Sequence, residues 1–161
     1  MAQVIHRQGR SVLKKMPVAS ATVIARGDVL FYDTTDHVVK PAADFTWDSD
    51  LVTTQAAFAE VFAGIAEEAS ASGETDPVSV ETSPEAVYEI DVPSGTYHQD
   101  DEFANDKASG NALLSQTLEQ AISTLSIAKC FKNMTAAGTR VWVTFAPALN
   151  TNSSNVNANI G

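Results

Sequence analysis

Three histidines, one cysteine and two knots of carboxylates are the groups of this 161-residue chain that could do chemistry, and their spacing supports little of it. Nucleophilic catalysis needs a Ser, Thr or Cys beside a His, with an acid to orient the imidazole. His6 lies in a basic N-terminal stretch, His37 in a predicted hairpin and His98 in a turn, and no Gly-x-Ser-x-Gly elbow occurs. The paired acids are Glu67-Glu68 and Asp100-Asp101-Glu102. A hydrolase needs two carboxyls set at a defined gap in a cleft, one with a raised pKa, whereas sequence neighbours in polar loops both face water. Asp100, Asp101 and Glu102, with Asn105 and Asp106, offer clustered oxygens of the kind a hard cation takes. They lack the alternate-position ligands, central Gly and closing Glu of an EF-hand, so no metal ligand is assigned. Neither Gly64, Gly73 nor Gly110 stands before a Lys at a helix start, the setting of a phosphate cradle. The expectation is a protein with no catalytic residues and no cofactor.

The remaining single features read as structural. Cys130 sits among apolar neighbours, Ile127-Ala128-Lys129-Cys130-Phe131, and is expected to be a buried, inert thiol. One cysteine allows no intrachain disulfide and no cysteine metal cluster. Arg26-Gly27-Asp28 spells an adhesion tripeptide but is expected to turn the chain into its first body strand. Trp142 alternates with Val141 and Val143, so it faces either the core or a subunit interface. Trp47, beside Asp48 and Asp50, is an aromatic lid or an interface anchor.

Charge divides the chain by position. Five basic residues and no acidic one lie before Asp28: Arg7, Arg10, Lys14, Lys15 and Arg26. From Asp28 to Asp106 there are nineteen carboxylates and one cation, Lys40. A basic arm before an acidic body suits a chain whose end lies on an acidic protein surface. The net charge of −10 argues against direct nucleic-acid binding by the body. No apolar run approaches the ~20 residues of a membrane span, and no apolar segment follows the N-terminal cations as in a secretory signal. Synthesis in a reducing cytoplasm is expected.

The elements that must position these residues are mostly short strands. Residues 1–26, with scattered apolar anchors and Pro17, read as an extended basic arm. Val29–Tyr32 and His37–Lys40 across a four-residue polar turn predict a hairpin opening a body over 27–147. Thr53 or Thr54 is expected to cap a helix over Gln55–Phe62, with Gly64 as its C-terminal glycine. Val78–Thr82 and Ala86–Val92 alternate as strands, Pro93–Thr96 is a turn, Asp100–Asn111 a long polar loop, and Arg140–Phe145 the last strand. The Asn/Ser-rich residues 148–161 are expected to form a flexible tail.

The order of these pieces resembles small tailed-phage capsid decoration (cement) proteins. The likeness is carried by Gly27–Asp33 with Val38–Ala42, Thr53–Ala59 leading to Phe62–Ala66, Asp76–Val80, and Ala108–Leu114. Each piece alone has low specificity; their order over 27–145 carries the resemblance. The pattern of many short strands with turn signals between them itself reads as a mainly β fold, a compact β-barrel or β-sandwich (β-tulip-like) with one short helix, an extended N-terminal arm and a flexible C-terminal tail. The resemblance agrees with it and implies further a virion protein on the outer surface of the expanded head, cementing neighbouring subunits of the major capsid protein. Self-association as a homotrimer, less often a dimer, goes with it. Candidate capsid contacts are Arg7, Arg10, Lys14 and Lys15, with Val12 and Leu13 as apolar anchors. The alternative is a β-rich virion spike or a carbohydrate-binding or hydrolase module, which needs a cleft with several aromatics and paired acids.

Overall fold

The computed structural model describes residues 4–158. Eleven strands form two sheets. The first contains β1 (Ile5–Gln8), β7 (Val87–Gly95), β8 (Glu102–Lys107), β9 (Leu113–Ala121), β10 (Ala128–Cys130) and β11 (Gly138–Phe145). Its order is β1-β7-β11-β10-β8-β9, and a parallel pairing of Asp91 with Thr117 joins β9 back to β7. The sheet therefore closes into a five-stranded barrel, with β1 added beside the start of β7. Closure removes most of the open edges that a flat sheet would expose.

The second sheet has the order β2-β6-β5-β3-β4, from β2 (Leu13–Met16), β3 (Val29–Asp33), β4 (Val38–Pro41), β5 (Phe62–Ala66) and β6 (Val78–Glu81). Its ends approach each other, because Val39 N–H donates to Pro17 O at 2.9 Å. The predicted hairpin is β3–β4, with Asp33 opposite Val38. A short 3-10 turn (Ala42–Asp44) follows it, and then α1 (Leu51–Val61).

Strand alternation sets the main core. Tyr88, Ile90 and Val92 of β7 and Val141, Val143 and Phe145 of β11 point inwards, joined by Phe103, Leu118 and Ile127. Phe58 and Phe62 come to the same core from α1 and its end. A smaller cluster, including Ile24, Leu30, Val39 and Val80, fills the second sheet. Cys130 is buried within the main core, as its apolar neighbours predict, and burial pushes its thiol pKa up. Trp47 packs against that core as a partly buried lid.

Several expectations are corrected. The helix starts four residues early, because Asp50 rather than a threonine is its N-cap and accepts Thr53 N–H at 2.8 Å. Asp is among the best N-caps, and its neighbours Leu51 and Val52 tolerate a first turn. Gly64 does not cap the helix; it lies in β5 at φ +144°, where a Cβ would stand 2.1 Å from Glu81 O. Close approach of two backbones is what requires glycine there. Residues Pro93–Gly95 continue β7 rather than turning, and the expected polar loop holds strand β8.

The two termini also differ from the expectation of arm and tail. Residues 5–16 lie in both sheets: β1 pairs with β7 and β2 with β6. At the other end Ala148 is buried and its N–H donates to Phe62 O at 2.7 Å. Asn150 Nδ2 donates to Thr82 O, and Asn155 Nδ2 reaches both Ala59 O and Ala146 O at 2.9 Å. The expected tail thus packs on the body as far as it is described; its residues 159–161, like residues 1–3 of the expected arm, lie outside the described residues.

Candidate interaction surface

The N-terminal ribbon, residues 5–16, brings the candidate contacts together. It runs along the barrel as β1, crosses at Gly9, and continues along the second sheet as β2. The crossing needs glycine: Gly9 has φ +90°, and a Cβ would lie 2.0 Å from Glu85 O. A register shift between His6 and Gln8 leaves Arg7 at a bulge, a feature that re-aims a side chain. Beyond the crossing the ribbon hangs on a buried carboxylate. Glu81, 3% exposed, accepts Val12 N–H at 2.8 Å, Ser83 N–H at 2.9 Å and the Ser11 hydroxyl.

The acidic partner of much of this ribbon is the chain's own body. Arg7 Nε donates to Glu89 at 2.7 Å, Lys15 Nζ to Glu68 at 2.6 Å, and Arg26, beyond the ribbon, pairs with Glu67 at 3.3 Å. Burial resists ionisation of Glu89, but Arg140 and Arg7 outweigh it and hold the carboxyl below its usual pKa. Lys15 does the same for Glu68, helped by Ser79 N–H. Glu67 and Glu68, expected as solvated neighbours, diverge: Glu67 also takes the Tyr88 hydroxyl at 2.5 Å, while Glu68 holds Lys15. Burial raises the Tyr88 hydroxyl pKa, with Glu67 adding to the shift.

Two cations remain. Among the described residues Arg10 and Lys14 make no ion pair, and both are exposed. Val12 and Leu13 between them are exposed by 39% and 53%. The six candidates therefore separate into two groups. Arg7 and Lys15 fasten the ribbon down, and Arg10, Val12, Leu13 and Lys14 are left exposed to solvent. β2 ends its sheet: β4 meets it just past Met16, where Val39 N–H donates to Pro17 O, and no strand pairs with the outer edge of residues 13–15 among the described residues.

The other candidate chemistry does not converge. His6 stands edge-on to Tyr88 at 5.3 Å between ring centroids, His37 lies 3.4 Å from the Tyr32 hydroxyl, and His98 lies 3.9 Å from Asp101. None of these rings hydrogen-bonds a Ser, Thr or Cys side chain among the described residues. Asp101 accepts His98 N–H and Gln120 Nε2, while Asn105 is buried and donates to Leu114 O, so the proposed oxygen cluster is split between a turn and a strand. No three His, Cys, Asp or Glu side chains of the described residues converge to hold a metal ion. Arg26-Gly27-Asp28 forms a turn with a buried aspartate, whose carboxylate accepts Ala25 N–H. Trp142 faces outward from the barrel, with its indole N–H on Glu89 and the Lys132 ammonium 3.5 Å from the ring centroid.

Sequence reasoning missed the receptors of the ribbon, Glu68, Glu81 and Glu89. The signal was present as the charge split, which matches a basic segment to acidic strands of the same chain as well as to a partner. It also missed Asn150 and Asn152, which stand beside Arg10 and Val12 in one groove. No helix of the described residues is long and apolar enough to cross a membrane. In comparisons with protein-family models, curated proteins and solved structures, nothing matches this chain.

Proposed function

We propose that this protein is a structural component of a phage virion, a decoration protein that binds the outer surface of the expanded head and cements neighbouring capsid subunits against internal DNA pressure. The observation that carries the reading is the exposed part of the ribbon. Unpaired Arg10 and Lys14, exposed Val12 and Leu13, and an open strand edge lie together on an otherwise acidic molecule. Such a surface suits an acidic, extended protein segment, with backbone pairing for affinity and side chains for selectivity. The resemblance in segment order across 27–145 points the same way.

The mechanism is linkage. A protein that binds the assembled lattice but not free subunits stabilises the lattice by mass action. A homotrimer, or a dimer, presenting several ribbons at once gains about 10² to 10⁴ in avidity from individually weak contacts. The partner is the major capsid protein; neither nucleic acid nor membrane is engaged, and no catalytic step is involved. The test is cryo-EM of particles from the source of the gene, with co-sedimentation of purified protein on expanded shells. Density for a small β domain at symmetry-related sites outside the shell is expected. A bare shell, with the protein recovered from the tail or the cell, overturns the reading in favour of a spike or glycan-binding module.

A further inference from the structure

A groove of about 410 Å³ opens between the ribbon's crossing and the C-terminal segment. It is lined by Arg10 and Val12 of the ribbon, by Asn150 and Asn152 of the C-terminal segment, and by Ser83 and Pro84. The first two pairs come from opposite ends of the chain. We propose that this groove, continued along the outer edge of β2, is the docking site for an extended segment of a partner protein in which acidic and apolar residues alternate. The proposal rests on the attachment reading above and names the part of the ribbon that does the binding.

Three observations define the occupant. The first is the division of charge within the ribbon. Arg7 and Lys15 are neutralised by Glu89 and Glu68, so the field left over comes from Arg10 and Lys14. The second is the C-terminal wall of the groove, lined by Asn150 and Asn152. Asn150 is committed at both ends of its amide, donating to Thr82 O and accepting Asn152 N–H at 2.9 Å, which fixes the wall in place. The Asn152 carboxamide itself has no partner among the described residues, and it can both donate to and accept from a passing backbone. The third is Glu85, which also lines the groove. One carboxylate among the lining groups disfavours a wholly acidic occupant, whereas alternation lets carboxylates on one face meet Arg10 and Lys14 while the apolar face rests on Leu13, which points away from Lys14 across β2. A second copy of β2 fits poorly, because edge-to-edge pairing sets Lys14 and Lys15 against their own counterparts.

The test uses the full chain, isotope-labelled for NMR, titrated with the blocked peptide Glu-Val-Glu-Val-Glu and with its Lys-Val-Lys-Val-Lys counterpart. Shifts confined to residues 10–14, Ser83, Asn150 and Asn152 are expected with the acidic peptide alone. R10E/K14E is expected to weaken binding about tenfold, since two exposed charge contacts are reversed. N152A, which leaves the Asn150–Thr82 bond in place, is expected to weaken it several-fold with an unchanged amide spectrum elsewhere. Equal binding of both peptides, shifts centred on Arg7 and Lys15, no shift at all, or R10E-sensitive self-association instead of peptide binding each overturns the proposal. Because the probe is a peptide, the attachment reading fails separately, by unoccupied shells in the co-sedimentation test.

Discussion

The N-terminal ribbon and strand β9 are both polar strands, and they use their polarity in opposite ways. The ribbon carries full charges on the surface, meets the body's carboxylates as ion pairs, and buries only Met16 of residues 5–16. β9 carries amides and hydroxyls between two layers. Its Ser115 Oγ accepts Ala43 N–H at 2.9 Å, Gln116 Nε2 donates to Asp28 at 2.8 Å, and Glu119 accepts Gln55 Nε2 at 2.7 Å. Leu113 and Leu118 of the same strand are fully buried. Exposed ion pairs contribute roughly 0–1 kcal/mol each. A polar group left without its partner inside a protein costs about 1–3 kcal/mol. The ribbon is thus a removable surface element, and β9 is the seam of the molecule.

That contrast breaks if the two strands respond alike to truncation. Leu118→Ala removes a fully buried side chain from the main core and is expected to cost about 2–5 kcal/mol of unfolding free energy. Leu13→Ala, at 53% exposure, is expected to change it by no more than about 0.5 kcal/mol. Urea denaturation followed by tryptophan fluorescence reads both. A loss at Leu13 comparable to that at Leu118 makes the ribbon part of the core.

Gly9→Ala sharpens the same comparison, because its effect should stay local. The new Cβ meets Glu85 O at 2.0 Å and the backbone has φ +90°, a strain of about 1–3 kcal/mol. Hydrogen exchange is expected to quicken at the amides of β1 and of residues 10–12, while the barrel amides of β11 keep their protection. Equal acceleration throughout would mean that the ribbon and barrel open as one unit. Gln55→Leu tests the seam from the other side. It strips the donor from both Asn105 O and Glu119 Oε1, with an expected loss of about 1–3 kcal/mol spread over the whole transition.

The seam is also the part the sequence concealed. Val29–Tyr32, Ala86–Val92 and Arg140–Phe145 show their strand period openly, because one face of each is apolar and buried. Residues 115–119 show no such alternation, since the side chains of Gln116, Ser115 and Glu119 are spent on bonds to residues 88, 72 and 64 positions away. A linear reading has no access to those partners, so β9 dissolves into short apolar pieces. Asn105 misled in the same way: it looks like a loop residue, yet it is 1% exposed and its amide is anchored on Leu114 O. The candidate surface was legible as residue types. The assignment of each cation was not, because the basic segment and the acidic strands that receive it are about 50 to 80 positions apart. Only the fold reveals that Arg7 is an anchor and Arg10 is free.

The smallest expected effects are titrations, and they should carry opposite signs in the two regions. Glu89 has a depressed pKa in the folded protein, so its contribution is present above the unfolded carboxylate value and is lost as pH falls through the folded one. Glu119 is the reverse: burial raises its pKa, aided by Asp106 and opposed by the Gln55 hydrogen bond. Above that raised value both states are ionised and the folded state bears the cost of a half-buried charge. As pH falls from there to the ordinary carboxylate range, the folded state takes up the proton first and the cost is relieved. Glu119→Gln keeps an oxygen for Gln55 and removes the charge, so it is expected to stabilise at pH 7 by a few tenths to about 1 kcal/mol, with the gain vanishing in mild acid. Arg7→Gln is expected to destabilise by a similar amount at pH 7, with the loss vanishing at still lower pH, once Glu89 is protonated. Thermal melts of both variants from pH 3 to 8 decide it. Curves that shift in the same direction would mean that ribbon and seam share one electrostatic environment, and that the ion pairs fastening the ribbon are not a separate latch.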